Sequence, residues 1–204
     1  MFRRYFNFAA LAALVLLLSG CGYNDIQRQD EQVKAAWSQV LNQYERRADL
    51  VPKLVSSVNA YMVNERTVLQ QVTDARAKVG QVRISADDLS DPALVARFEQ
   101  AQGALSSSLS RLLAVSENYP QLKSDGLFRD LMTQLEGTEN RITVARERYV
   151  TAVQAYNLTI RQFPTLLTAR VFGYQPKAQY GLDKADDVMR DPEVKFDLPQ
   201  GQGS

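Results

Sequence analysis

Few residues in this chain have the chemistry to act on a substrate. In Leu135-Glu136-Gly137-Thr138-Glu139-Asn140-Arg141-Ile142, Glu136 and Glu139 stand three apart, so a helix would place both carboxylates on one side. Such a pair could serve as acid and base or grip a divalent cation. Ser106, Ser107 and Ser108 offer hydroxyl nucleophiles, but there is no His to activate one and no Lys at Ser-x-x-Lys spacing. The lack of His also excludes the usual triads, His-containing zinc sites and the Glu-x-x-His motif of di-iron bundles. Gly126 and Gly137 are isolated and build no phosphate loop. The sequence therefore nominates no catalytic residue, no metal site and no cofactor.

The same carboxylates have a structural use. Glu139 lies four residues after Leu135 and three before Ile142, at the border of an apolar stripe. Arg47 has that relation to Tyr44 and Val51, and Arg76 to Val72 and Val79. Charges at the edge of a helix seam need partners, so Arg46, Arg47, Arg76, Glu136 and Glu139 are read as a structural ion-pair network. Glu139 is expected to pair with Arg47 or Arg46 and to help set helix register.

The remaining reactive group is a thiol. Cys21 is the single cysteine, in Leu16-Leu17-Leu18-Ser19-Gly20-Cys21-Gly22-Tyr23-Asn24-Asp25. Before it, Arg3 and Arg4 give a positive start and Phe6 to Leu18 a nearly unbroken apolar run. That is an export-signal layout, too short for the roughly 20 residues a membrane-crossing helix needs. Leu18-Ser19-Gly20-Cys21 resembles the bacterial lipobox, which implies cleavage between Gly20 and Cys21 and a lipid on the Cys21 sulfur. One acyl chain holds only marginally at about 0.8 kcal/mol per buried methylene, and two or three make a stable anchor. Gly22 follows Cys21, whereas Asp at that position resembles an inner-membrane retention signal. The expected location is thus the envelope, lipid-anchored and facing the periplasm, with the outer membrane favoured over the inner.

The elements that must position these groups are helices. The chain has 204 residues, 45% of them apolar, with 24 basic against 23 acidic side chains. This balance gives no argument for nucleic acid as partner. Ile26, Val33, Trp37, Val40, Tyr44, Val51, Leu54, Val58 and Met62 recur at helical steps, and the stripe continues through Val68, Leu69, Val72 and Val79. Pro52 predicts a kink or break, with Asp49 placed to cap a segment beginning at Leu50. Asp91-Pro92 reads as a helix start, followed by Leu94, Phe98, Ala101, Leu105, Leu109 and Leu112, with Tyr119-Pro120 as the stop. Gly126 is expected in a turn. From Phe128 to Phe163 a stripe of more than thirty residues is stopped by Pro164, and Thr165 to Phe172 suits a short helix punctuated by Gly173. Trp37 reads as core packing, and the Tyr and Trp side chains of the stripes are expected to find hydrogen bonds near the bundle edge.

The fold class is all-α: an elongated antiparallel up-and-down bundle of about four long helices, with a short C-terminal helix and an irregular tail. The organisation divides into a signal peptide at 1–20, a lipidated anchor and linker at 21–24, the bundle at 25–173 and a mostly irregular polar tail at 174–204.

Several blocks carry a family resemblance: Tyr23-Asn24, Trp37-Ser38, Tyr44-Glu45-Arg46-Arg47-Ala48-Asp49-Leu50-Val51-Pro52-Lys53-Leu54-Val55, Ala75-Arg76, Glu117-Asn118-Tyr119-Pro120-Gln121-Leu122-Lys123, Leu135 to Ile142, Ala145-Arg146, Tyr149, Tyr156-Asn157, Phe163-Pro164, Ala169 and Phe172-Gly173-Tyr174. In type and order this resembles the LemA family over nearly all of residues 23–180. The resemblance implies a membrane-tethered, elongated antiparallel helical bundle facing the outside of the inner membrane or the periplasm, with no established enzymatic activity or cofactor. One member of that family is implicated in shaping magnetosome membranes. Here the family's usual N-terminal transmembrane helix looks replaced by the lipobox.

The functional expectation is a non-enzymatic, membrane-anchored envelope lipoprotein that binds an envelope protein partner or organises the membrane surface. It is held to the membrane through Cys21, with no nucleic acid and no small-molecule substrate identified. The alternative is a metal-dependent enzyme or binder that uses carboxylates within the bundle.

Overall fold

The computed structural model describes residues 22–180. Expectations for the signal segment 1–20, for Cys21 and for 181–204 fall outside the described residues. Among those described, the secondary structure is helical: α1 (Tyr23–Asn59), α2 (Arg66–Gln81), a 3-10 turn (Asp87–Ser90), α3 (Pro92–Ser116), α4 (Pro120–Ser124), α5 (Gly126–Thr159) and α6 (Thr165–Phe172). The long helices alternate in direction, α1 packing along α5, and α2 along α1 and α3. At 1.5 Å per residue, the 37 residues of α1 span about 55 Å.

The apolar stripes divide the interior into two layers. Ile26, Val33, Trp37, Val40 and Tyr44 of α1 meet Val95 and Phe98 of α3 and Ile142, Tyr149, Val153 and Tyr156 of α5. Leu50, Val51, Leu54 and Val58 meet α2, Leu105 to Leu112 of α3, Leu122 of α4, and Phe128 to Leu135 of α5. Removing one of these large side chains from water contributes roughly 1.5–3 kcal/mol, which makes the two layers the main source of stability.

Local chemistry sets several boundaries. Asp91 caps α3, its carboxylate accepting from the Ala93 and Leu94 amides at 2.9 and 3.2 Å, with Pro92 in the first turn. Asp125 does the same for α5, accepting from the Phe128 amide at 2.9 Å. Gly126 is therefore the first residue of a helix and not part of a turn. Gly173 ends α6 in the left-handed region at φ 72°, the conformation a glycine C-cap supplies.

Other expectations are corrected. Helix α1 runs through Pro52 without a break, and no new segment starts at Leu50; the interruption falls at 60–65 instead. Pro52 is tolerated because its side chain is exposed and because the carbonyl it deprives of a donor, that of Ala48, accepts from Arg76 Nε at 2.9 Å. On α3, Gln102 takes the buried position expected for Ala101. The short helix α4 was not predicted at all. Helix α1 already includes Tyr23 and Asn24, so the described part of the 21–24 segment is helix from its second residue.

The segment 174–180 is irregular in backbone yet bound down along the bundle. The Ala178 amide donates to the Leu89 carbonyl at 2.8 Å, and Asn157 forms two 2.8 Å bonds with the backbone of Lys177, one accepting from N–H and one donating to C=O. Tyr174, Ala178 and Tyr180 of this strap pack against the apolar layer that α1, α3 and α5 share.

Candidate functional site

Between the two apolar layers lies one polar layer. The apolar sequence of α1 is interrupted by Arg47, that of α3 by Gln102 and that of α5 by Thr138, all three buried. Arg47 is only 1% exposed. Its Nη1 donates to Ser106 Oγ at 2.7 Å and to Glu139 Oε1 at 2.8 Å, and its Nη2 donates to Gln102 Oε1 at 2.6 Å and to the Gln102 carbonyl at 3.2 Å. Four of the five donors of the guanidinium are thus engaged, while Nε has no hydrogen-bond partner among the described residues. The Tyr44 ring stacks on the guanidinium, centroid to Cζ 4.9 Å.

This geometry joins α1, α3 and α5 through one side chain. A buried charge without partners is strongly destabilising, so only the arrangement that brings Gln102, Ser106 and Glu139 to Arg47 is compatible with its burial. The Glu139 side chain is 44% exposed and opens into a cleft of about 420 Å³ whose lining includes Glu99, Thr143, Arg146 and Tyr180. Arg146 lies over the Tyr180 ring at 4.1 Å.

The predicted site residues separate into two groups. Arg47 and Glu139 are brought together as an ion pair. Arg76 faces the Ala48 carbonyl instead of a carboxylate, and Arg46 and Glu136 are exposed, outside the polar layer. Among the described residues no group of three or more His, Cys, Asp or Glu could hold a metal ion. Three members of the layer, Gln102, Ser106 and the buried Thr138, escaped the sequence reading. Gln102 betrays itself only as a polar residue four after Phe98 and three before Leu105, and Ser106 was weighed as a nucleophile and not as an acceptor.

A second polar cluster ties the strap to the bundle. Lys177 Nζ meets Asp30 Oδ1 at 2.8 Å, with both side chains mostly buried. Tyr44 and Tyr180 share a 2.6 Å hydroxyl contact, Tyr149 donates to the Ala178 carbonyl at 3.0 Å and Tyr156 to the Gln175 carbonyl at 3.2 Å. The core tyrosines therefore find their partners on the strap. Trp37 does not: it packs between Phe98 and Tyr149, ring centroids at 5.4 and 5.0 Å, and its indole N–H has no hydrogen-bond partner among the described residues. Its depth in the apolar layer overrides the expected bond at the bundle edge.

Electrostatics follow from this packing. Burial pushes the phenols of Tyr44, Tyr149 and Tyr180 above their ordinary value, with the adjacent Tyr44 adding to the effect at Tyr180, and raises Tyr156 to about 12. Burial opposes ionisation of Asp30 too, but hydrogen bonds from Lys177 and Lys34 outweigh it and hold the carboxyl below its ordinary value.

Known proteins are similar to this chain in sequence. The model of the LemA family matches residues 36–196. The magnetosome proteins MamQ 1 and MamQ 2 of Paramagnetospirillum magneticum are each 26% identical over 178 residues, covering 79% of this chain and 65% of theirs. Protein LemA of Metamycoplasma hominis is 24% identical over 147 residues, covering 72% of this chain and 63% of its own. The chain thus spans somewhat less than two thirds of the length of these curated relatives.

Proposed function

Because the chain belongs to the LemA family, we propose that it is a non-enzymatic envelope protein: a helical rod tethered to a membrane by lipid on Cys21, serving protein interaction or membrane organisation. The observation that carries this reading is the junction of anchor and rod. The lipobox ends at Cys21 and α1 begins at Tyr23, so Gly22 alone separates the proposed lipid from a helix of 37 residues. Gly22 adopts φ 112°, and a Cβ there would run into the Thr165 side chain. A tether with no slack fixes which end of the rod faces the bilayer.

Three further observations support the reading. Among the described residues no helix is long and apolar enough to cross a membrane. The buried Arg47 is engaged by side chains of α3 and α5, a structural use of its Nη hydrogens that leaves them unavailable to a substrate. The relatives named as magnetosome proteins are consistent with work at a membrane. The experiment is photocrosslinking in cells from positions along α3 and α5, followed by mass spectrometry. Recovery of a defined envelope protein is expected. No protein contact, together with a normal envelope after deletion of the gene, would overturn the proposal.

A further inference from the structure

Ten large apolar residues are exposed among the described residues, and six of them, Tyr23, Leu158, Phe163, Leu167, Val171 and Phe172, gather where α1 starts, α5 ends and α6 turns. Phe163 and Val171 are 77% and 80% exposed. Helix α6 buries Thr168 and Ala169 against the bundle and turns Leu167 and Val171, one helical turn apart, to the outside. Its last residue, Phe172, packs on Tyr23 with the rings tilted by 55° and their centroids 5.1 Å apart, so this face is built onto the first turn of α1. Arg161 and Arg170 are exposed on the same end. Apolar side chains flanked by basic ones make the pattern of a helix that lies in a membrane interface, and so large an exposed apolar group needs a reason on a protein in water.

We propose that α6 and the turn before it form a second membrane contact, in which Phe163, Leu167 and Val171 enter the headgroup boundary of an anionic bilayer while Arg161 and Arg170 meet its phosphates. This rests on the tether reading above, since Gly22, the residue after Cys21, abuts Thr165 at the start of α6. The occupant is the lipid surface because the attachment point brings that surface to this end of the rod, and because two exposed cations beside the apolar face do not suit a purely apolar protein groove. The tether and α6 together hold the rod at one fixed angle to the membrane.

The test uses the full-length protein, in which lipid occupies Cys21, with an environment-sensitive fluorophore on Leu167→Cys, Val171→Cys or, as control, Val63→Cys. Val63 is 55% exposed and lies past the far end of α1. Each variant is reconstituted on vesicles of phosphatidylethanolamine and phosphatidylglycerol, and flotation is scored separately from fluorescence. The expected result is blue-shifted emission at 167 and 171, with quenching by doxyl-labelled lipid several-fold stronger than at 63. An Arg161→Glu, Arg170→Glu double variant should weaken that quenching at 171; no change would overturn the anionic surface as the occupant. If the protein floats while the probe at 171 remains as open to aqueous iodide as that at 63, the α6 contact is wrong and the tether stands. If the probe is shielded from iodide yet untouched by doxyl lipid, a second copy or another protein covers the face, and the proposal also fails. Loss of flotation in all variants would overturn the tether and this contact with it.

Discussion

Arg76 donates its Nε–H to the carbonyl oxygen of Ala48 at 2.9 Å, the oxygen that Pro52 leaves without its helical donor. A side chain of α2 thereby completes the hydrogen bonding of α1 and lets a long helix carry a proline in its interior.

This relationship predicts coupling between two positions 24 residues apart in sequence. Arg76→Ala should destabilise the bundle by about 1–2 kcal/mol, the effect of losing a hydrogen bond to a charged donor. In a Pro52→Ala background, where the backbone supplies its own donor, the same change should have a clearly smaller effect. Chemical denaturation of the four proteins of the double-mutant cycle reads the difference.

The polar layer predicts an asymmetry. Arg47→Ala removes the group on which Gln102, Ser106 and Glu139 converge and should destabilise by roughly 3–5 kcal/mol. Glu139→Gln keeps the shape and one acceptor but removes the countercharge, and because Glu139 is half exposed the effect should be lower, about 1–2 kcal/mol. Equal stability of Glu139→Gln and the parent would show that the ion pair does not hold register.

The strap predicts opposite pH limits. The Asp30 carboxyl is held below its ordinary 3.8, so its contribution is complete above that pH and is lost as pH falls through the lowered value. Tyr156, raised from 10.0 to about 12, contributes fully below pH 10 and loses that contribution as pH rises toward 12, where a charged phenolate favours the unfolded chain. Hydrogen exchange should therefore show 174–180 losing protection at both extremes. Asp30→Asn should abolish much of the acid response and leave the alkaline one.

Much of this molecule can be read along the chain, for reasons particular residues make plain. Asp91-Pro92 and Gly173 are local signals whose chemistry is complete within a few residues, and the structure uses them as read. Arg47 and Glu139 were found because each borders an apolar stripe whose period reveals its direction. The break allowed for at Pro52 does not occur, because the group that accommodates the proline comes from Arg76 on another helix. The break at 60–65 was hidden because Val58, Met62 and Leu69 keep helical spacing across it. The strap left no periodic trace: its attachment depends on tyrosine hydroxyls and on Asn157, which pairs with Lys177 only after α5 is folded against the returning chain.

The proposed tether is tested most directly by intact-mass and peptide mass spectrometry of the protein purified from bacterial membranes. The expected amino terminus is Cys21, bearing a diacylglyceryl thioether on its sulfur. An amino terminus before Gly20, or a free Cys21 thiol on a protein released from membranes by high salt, would contradict the account.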